Sequence, residues 1–386
     1  MMPEIARRAG IAAFLAMEVM KEANRAAERG GSILHLEVGQ PSTGAPQAVI
    51  AAARKALGTE RLGYTDALGH DRLREAIAGH YRHYYGVAVP PERIIVTTGS
   101  SGAFLLSFLA AFDAGARVAV TEPGYPAYRN ILRALDIEPV ALAAHAELGF
   151  RPSLALIEQA LPLDGLLLAS PGNPTGTMLD EAMVAALGAQ AARCGHWLIL
   201  DEIYHGITYG GRAKTALALN DQAVRDRLIV VNSFSKYFCM TGWRLGWLVV
   251  PPALVAPIER LAQNLFISPP ALSQLAGIAA FTAYDELDRN VVRYARNRDL
   301  LLNELPAAGF DRLAPADGAF YLYADVARWT SDSQAFCRRM LAQTGVATTP
   351  GVDFDPAAGQ HYLRLSFAGE TADMAQAVER LKSWKK

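Results

Sequence analysis

The sequence predicts an α/β protein in which a mostly parallel sheet is covered by helices on both faces, followed by a smaller α+β part. Three observations predict it. Short apolar runs ending in turn residues alternate with helix-like stretches along the middle of the chain. Those runs are mostly apolar, as expected of strands in a sheet covered on both faces. Beyond Glu286 the character changes to one long charged helix followed by aromatic, strand-like segments.

Each element has its own justification. Arg7 and Arg8 precede a short apolar stretch, a superficial likeness to a signal peptide. Glu18, Lys21 and Glu22 follow at once and no small-residue cleavage site precedes Asn24, so a surface helix with Phe14, Met17 and Met20 inward is expected. Strands are expected at 93–97, 117–120, 163–169, 196–200, 228–232 and 245–250, with helical patterns at 102–112 and 180–192 among them. A charged helix at 287–305 then leads to strands at 319–324 and 362–367. These divide the chain into an N-terminal segment, 1–45, packing on the small domain, a large α/β domain, 46–285, and a small α+β domain, 286–386.

Composition narrows the function. With 386 residues, 51% of them hydrophobic, there is ample material for a core, and a net charge of -1 offers no basic excess for nucleic acid or an anionic membrane. No apolar run approaches the ~20 residues of a membrane span. Cys194, Cys239 and Cys337 are widely spaced without a metal-ligand pattern, so no metal is expected and three free thiols suit the cytoplasm.

Ligands in parallel sheets bind beyond the carboxyl ends of the strands, and the unusual residues cluster there. Thr98-Gly99-Ser100-Ser101-Gly102 joins a strand to a helix, where backbone N–H groups and two hydroxyls can receive a phosphate. Walker and Gly-x-Gly-x-x-Gly patterns are absent, which disfavours nucleotides. Tyr125, in Glu122-Pro123-Gly124-Tyr125, can stack on a ring or simply pack; Asn173, in Ser170-Pro171-Gly172-Asn173-Pro174-Thr175-Gly176, can donate its amide. Asp201 and Tyr204 follow another apolar strand, where Asp201 is either a helix cap or a partner for a ring nitrogen. Lys236 carries an amine able to form a Schiff base with an aldehyde, Ser233 and Ser235 precede it, and Arg244 follows on a glycine-rich turn suited to phosphate.

The run from Ser233 to Gly246 resembles the lysine-attachment signature of class I/II, fold-type I aminotransferases, with Cys239 departing from the usual pattern. Asn173-Pro174-Thr175-Gly176 also matches the family, and so do Val38-Gly39-Gln40-Pro41, Tyr64 before Thr65-Asp66, and Arg364 in the alternating strand Tyr362-Leu363-Arg364-Leu365. The resemblance implies a seven-stranded-type sheet, pyridoxal 5′-phosphate as cofactor, and amino transfer between an L-amino acid and a 2-oxo acid. Lys236 would hold the cofactor as a Schiff base and move the substrate's Cα proton. Gly99, Ser100, Ser101, Ser233, Ser235 and Arg244 would surround the phosphate, joined by Tyr64 from the neighbouring subunit of a homodimer. Tyr125, Asn173, Asp201 and Tyr204 would hold the ring, and Gly39, Asn173 and Arg364 the substrate carboxylate.

Aspartate-specific relatives add a cation for the distal carboxylate. At the corresponding places this chain has Ser101 and the base-free stretch 263–269. With Phe14, Phe266 and Ile267 as expected pocket walls, a neutral or aromatic donor is favoured over aspartate. Carbon–sulfur β-lyases of the same fold are the alternative, although they usually lack the form seen at Met240 to Gly246. A ligand sensor fused to a DNA-binding domain is nearly excluded, because too few residues precede Gly39 for that domain.

Overall fold

The computed structural model describes residues 4–385. Its strands are β1 (Leu34–His35), β2 (Ile94–Thr97), β3 (Arg117–Glu122), β4 (Glu138–Ala143), β5 (Gly165–Ala169), β6 (Trp197–Asp201), β7 (Leu228–Ser233), β8 (Gly246–Val249), β9 (Tyr321–Asp325), β10 (Val346–Ala347), β11 (Thr349–Pro350) and β12 (Tyr362–Ser366). Seven form one sheet in the order β2-β8-β7-β6-β5-β3-β4. All pairings are parallel except those of β8, which is antiparallel to both neighbours. The fold is therefore the α/β architecture expected, with helices packed on a mostly parallel sheet.

Burial explains why most strands of this sheet are legible and the β4 edge is not. Every residue of β2, β7 and β8 is buried, so their apolar runs are continuous. β4 is an edge strand with a single buried residue, Leu142, and it contains Pro139. Proline and an exposed face are how edge strands avoid further pairing, and they hide the strand in the sequence.

Two further differences touch the site. The helix expected from 102 begins at Gly99 and runs to Ala111, so Gly99, Ser100 and Ser101 are its first turn. The N-terminal helix is Leu15–Glu28, and its buried residues are Ala16 and Ala23. Met17 is 45% exposed instead of turned into a core, because the surface that this helix covers is the wall of a cavity.

β9, β11 and β12 make a three-stranded antiparallel sheet that places Arg364 opposite Thr349 and Tyr323. The helix Tyr284–Glu304 precedes it, three residues earlier than the charge pattern suggests. β1 pairs in parallel with β10, which ties the N-terminal residues to this part of the chain. Among the described residues no helix is long and apolar enough to cross a membrane.

Candidate active site

The carboxyl ends of β2, β3, β5, β6 and β7 open onto one cavity of about 420 Å³. Such a volume suits a small organic ligand. Ser100, Ser101, Tyr125, Asn173, Tyr204, Ser235 and Lys236 line it, joined from elsewhere by Gly39, Arg244 and Arg364. Most of the residues singled out from sequence thus come together from positions far apart in the chain.

Lys236 lies just past β7 and is half-buried. Its Nζ donates to the Gly39 carbonyl at 2.6 Å and lies 5.8 Å from the centre of the Tyr204 ring. Burial first, then the charges of Arg364 and Arg244, lower its pKa to about 8, with Asp201 opposing them. An amine with that pKa is neutral in an appreciable fraction near neutral pH, as nucleophilic attack or proton transfer requires.

Asp201 ends β6 and is buried. One carboxylate oxygen accepts from the Tyr128 hydroxyl and the other from the Ile203 N–H at 3.0 Å. Burial nevertheless raises its pKa to about 6. Tyr204 is buried and shares a 2.7 Å hydrogen bond with the Tyr321 hydroxyl.

Arg364 is 2% exposed, and its guanidinium lies between the rings of Tyr321 and Phe354, 4.3 and 4.7 Å from their centres. It donates to Asn173 Oδ1 at 2.8 Å, to the Glu37 carbonyl at 2.6 Å and to Thr349 Oγ1 at 3.3 Å. All three acceptors are neutral, and its Nε has no partner among the described residues. A buried cation held this way, facing a cavity, matches an anionic ligand.

A second anion-suited feature is the start of the helix Gly99–Ala111, which has no side-chain cap at Thr98. Gly99 is required there: its φ is +70°, and an added Cβ would fall 2.5 Å from Arg244 Nη2. Arg244, itself left-handed at φ +53°, thus rests against the phosphate-type turn predicted for it. Gly39 is equally confined, since a Cβ would meet the Tyr321 hydroxyl at 1.9 Å.

Six sequence-predicted residues are not on the cavity wall: Asp201, which meets it through Tyr128, Gly99, Ser233, Tyr64, Phe266 and Ile267. Ser233 lies behind Ser235, with its Oγ 3.0 Å from Ser235 Oγ and 3.2 Å from the Leu245 carbonyl, which accepts from it. Tyr64 is 85% exposed. Of the expected pocket walls, Ile267 is 52% exposed and Phe266 lines an adjoining groove with Ile11 and Leu105. Phe14 does line the cavity, with Ala16, Met17 and Met20. Sequence reasoning missed Tyr128, Tyr321 and Glu37. Tyr128 had a signal, one helical turn after Tyr125, whereas only the tertiary fold places Tyr321 beside Gly39.

Comparison with known proteins places the chain in a family. Residues 32–381 match the family described as aminotransferase class I and II. The chain is 49% identical to a valine–pyruvate aminotransferase of Mycobacterium tuberculosis, with 100% of this chain and 99% of that one covered. It is 32% identical to an aspartate/prephenate aminotransferase of Thermus thermophilus, with 91% of each covered. A crystal structure of an aminotransferase from Mycobacterium tuberculosis superposes with a TM-score of 0.95 at 48% identity, covering 99% of both chains.

Proposed function

The chain belongs to the class I and II aminotransferases, and from that premise we propose that it moves the amino group of an apolar L-amino acid to pyruvate, with Lys236 as the proton carrier. Members of this family use pyridoxal 5′-phosphate, which when bound supplies a sink for the electrons left on the substrate's Cα. The residues fit that group: an uncapped helix start beside Arg244 for its phosphate, a buried carboxylate for its ring nitrogen and a lysine of lowered pKa for its aldehyde.

In this reading Ser100, Ser101, Ser235 and Arg244 bind the phosphate, with Gly99 allowing the close approach and Ser233 holding Ser235 in place. Asp201 keeps the ring nitrogen protonated, oriented by Tyr128, while Tyr204, Asn173 and Tyr125 fix the ring plane. Arg364 binds the substrate's α-carboxylate together with Asn173 and the Gly39 backbone, which orients the Cα–H toward Lys236. The lysine amine takes that proton and returns it to the cofactor side, so one group serves as base and then acid. Closing the cavity with apolar residues excludes water and strengthens each charge interaction.

The observation that carries the donor assignment is the inventory of cations that line the cavity among the described residues: Lys236, Arg244 and Arg364. Each has a role above, so none remains for a second carboxylate, whose desolvation would go uncompensated. The wall of Phe14, Ala16, Met17 and Met20 suits an aliphatic side chain instead. The valine and pyruvate named for the 49% identical relative support the same choice. We also assign a homodimer, in which the exposed Tyr64 serves the partner's phosphate site, and a cytoplasmic setting, which the three free cysteines support. A donor panel with pyruvate as acceptor tests the assignment. Valine should exceed aspartate in kcat/KM by at least ~10-fold, the scale of a few methylenes in an apolar pocket. A preference for aspartate or glutamate would refute it.

A further inference from the structure

The helix Leu15–Glu28 begins without a cap of its own: Phe14 occupies the N-cap position and offers no side-chain acceptor. The first N–H groups of a helix need partners, and here they find one far along the chain. Leu15 N–H donates to Asp353 Oδ1 at 3.1 Å and Ala16 N–H to Asp353 Oδ2 at 3.2 Å. Each carboxylate oxygen therefore holds one end-of-helix donor, and the negative charge sits at the favourable pole of the helix.

Asp353 is itself rigidly seated. It is 3% exposed, in the turn after β11, and its carbonyl accepts from Arg129 on the helix Pro126–Ala134. The adjoining Phe354 carbonyl accepts from Gly124 N–H at 3.0 Å, and the Phe354 ring backs Arg364. Phe14 packs edge-on against Tyr125 with ring centres 5.9 Å apart. The Asp353–Phe354 segment thus ties the helix Pro126–Ala134 and Arg364 to one place through its backbone and the Phe354 ring, while the Asp353 carboxylate ties to that place the start of the helix whose Ala16, Met17 and Met20 line the cavity.

We propose that Asp353 is a positioning residue for donor choice, fixing the Phe14 to Met20 wall against the donor's side chain without touching substrate. The proposal rests on the apolar-donor reading above.

The test uses the pyridoxal-phosphate-loaded protein in single turnovers with alanine, 2-aminobutyrate, valine and leucine, read from the cofactor's absorbance. Asp353→Ala should weaken valine and leucine relative to alanine by roughly fivefold, the effect of losing one helix cap. Asp353→Asn, which keeps one acceptor oxygen, should fall between. In the cofactor-free protein, hydrogen exchange of the 15–28 amides should quicken in the same order. If Asp353→Ala does not fold, Met17→Ala at its exposed position and the Asp353→Asn, Met17→Ala pair replace it. Non-additive effects on the valine-to-alanine ratio are then expected, because both changes act on one wall. An unchanged ratio, an equal loss for all donors or strict additivity would overturn the proposal. Should the unmodified protein prefer aspartate, the apolar-donor reading itself fails; a valine preference with an unmoved ratio sinks the positioning role alone.

Discussion

At the scale of single residues the account turns on how burial sets charge. Lys236 sits among two arginines and one carboxylate, and burial outweighs the attraction of Asp201. Its folded pKa is lowered from 10.5 to about 8, so the neutral amine grows in as pH rises through 8. In cofactor-free protein the rate of capture of pyridoxal phosphate should therefore rise with pH, with a midpoint near 8. Arg364→Ala removes a neighbouring positive charge and should move that midpoint upward. Stopped-flow absorbance across pH 6 to 11 measures it, and a midpoint above 10 in the unmodified chain would mean the arginines and burial do not act on the amine. Asp201 follows the same logic in reverse, raised to about 6 by burial although two donors hold it. Its pairing with a protonated ring nitrogen would offset that burial.

At the scale of elements, the positions of the chemistry were more legible than the elements themselves. Gly99 to Gly102 read as a strand-to-helix junction because glycine and serine interrupt an apolar run. That the helix starts at Gly99 was hidden, since neither a capping side chain nor an acidic first turn marks it. The missing cap has a consequence. Gly99→Ala would place a Cβ at φ +70° against Arg244, displacing either the turn or the guanidinium. Pyridoxal phosphate should then bind about tenfold more weakly, equivalent to about 1.4 kcal/mol. Equilibrium dialysis of the variant checks this, and an unaltered affinity would detach the turn from the phosphate. β4 is hard to read for another reason: its apolar run follows Glu138-Pro139 and is half alanine, so neither its opening nor β-branching marks it as a strand.

For the whole molecule, what the sequence could not supply is the company each residue keeps. Tyr321, Phe354 and Asp353 come from segments that look like ordinary core or turn, and they meet Gly39, Arg364 and the N-terminal helix only through the fold. Lys236, Asp201 and Asn173 stand out because their chemistry is unusual at strand ends, whereas Arg364, in the middle of β12, is marked only by the family resemblance. Tyr64 extends the account beyond one chain. If it completes the partner's site, inactive Lys236→Ala and Tyr64→Ala proteins should recover activity when their subunits are exchanged, because each mixed dimer contains one complete site. Mixtures as inactive as their parents would mean that the Lys236 and Tyr64 of a given site come from the same subunit. The central claim, that Lys236 is the cofactor-bearing and proton-carrying group, has the most direct test. Pyridoxal-phosphate-loaded protein is reduced with borohydride, digested and searched by mass spectrometry for the pyridoxyl group. The account predicts bleaching of the yellow protein and a single label on Lys236. A protein that takes up no cofactor, or one labelled at Lys214 or another surface lysine with Lys236 unmodified, would contradict it.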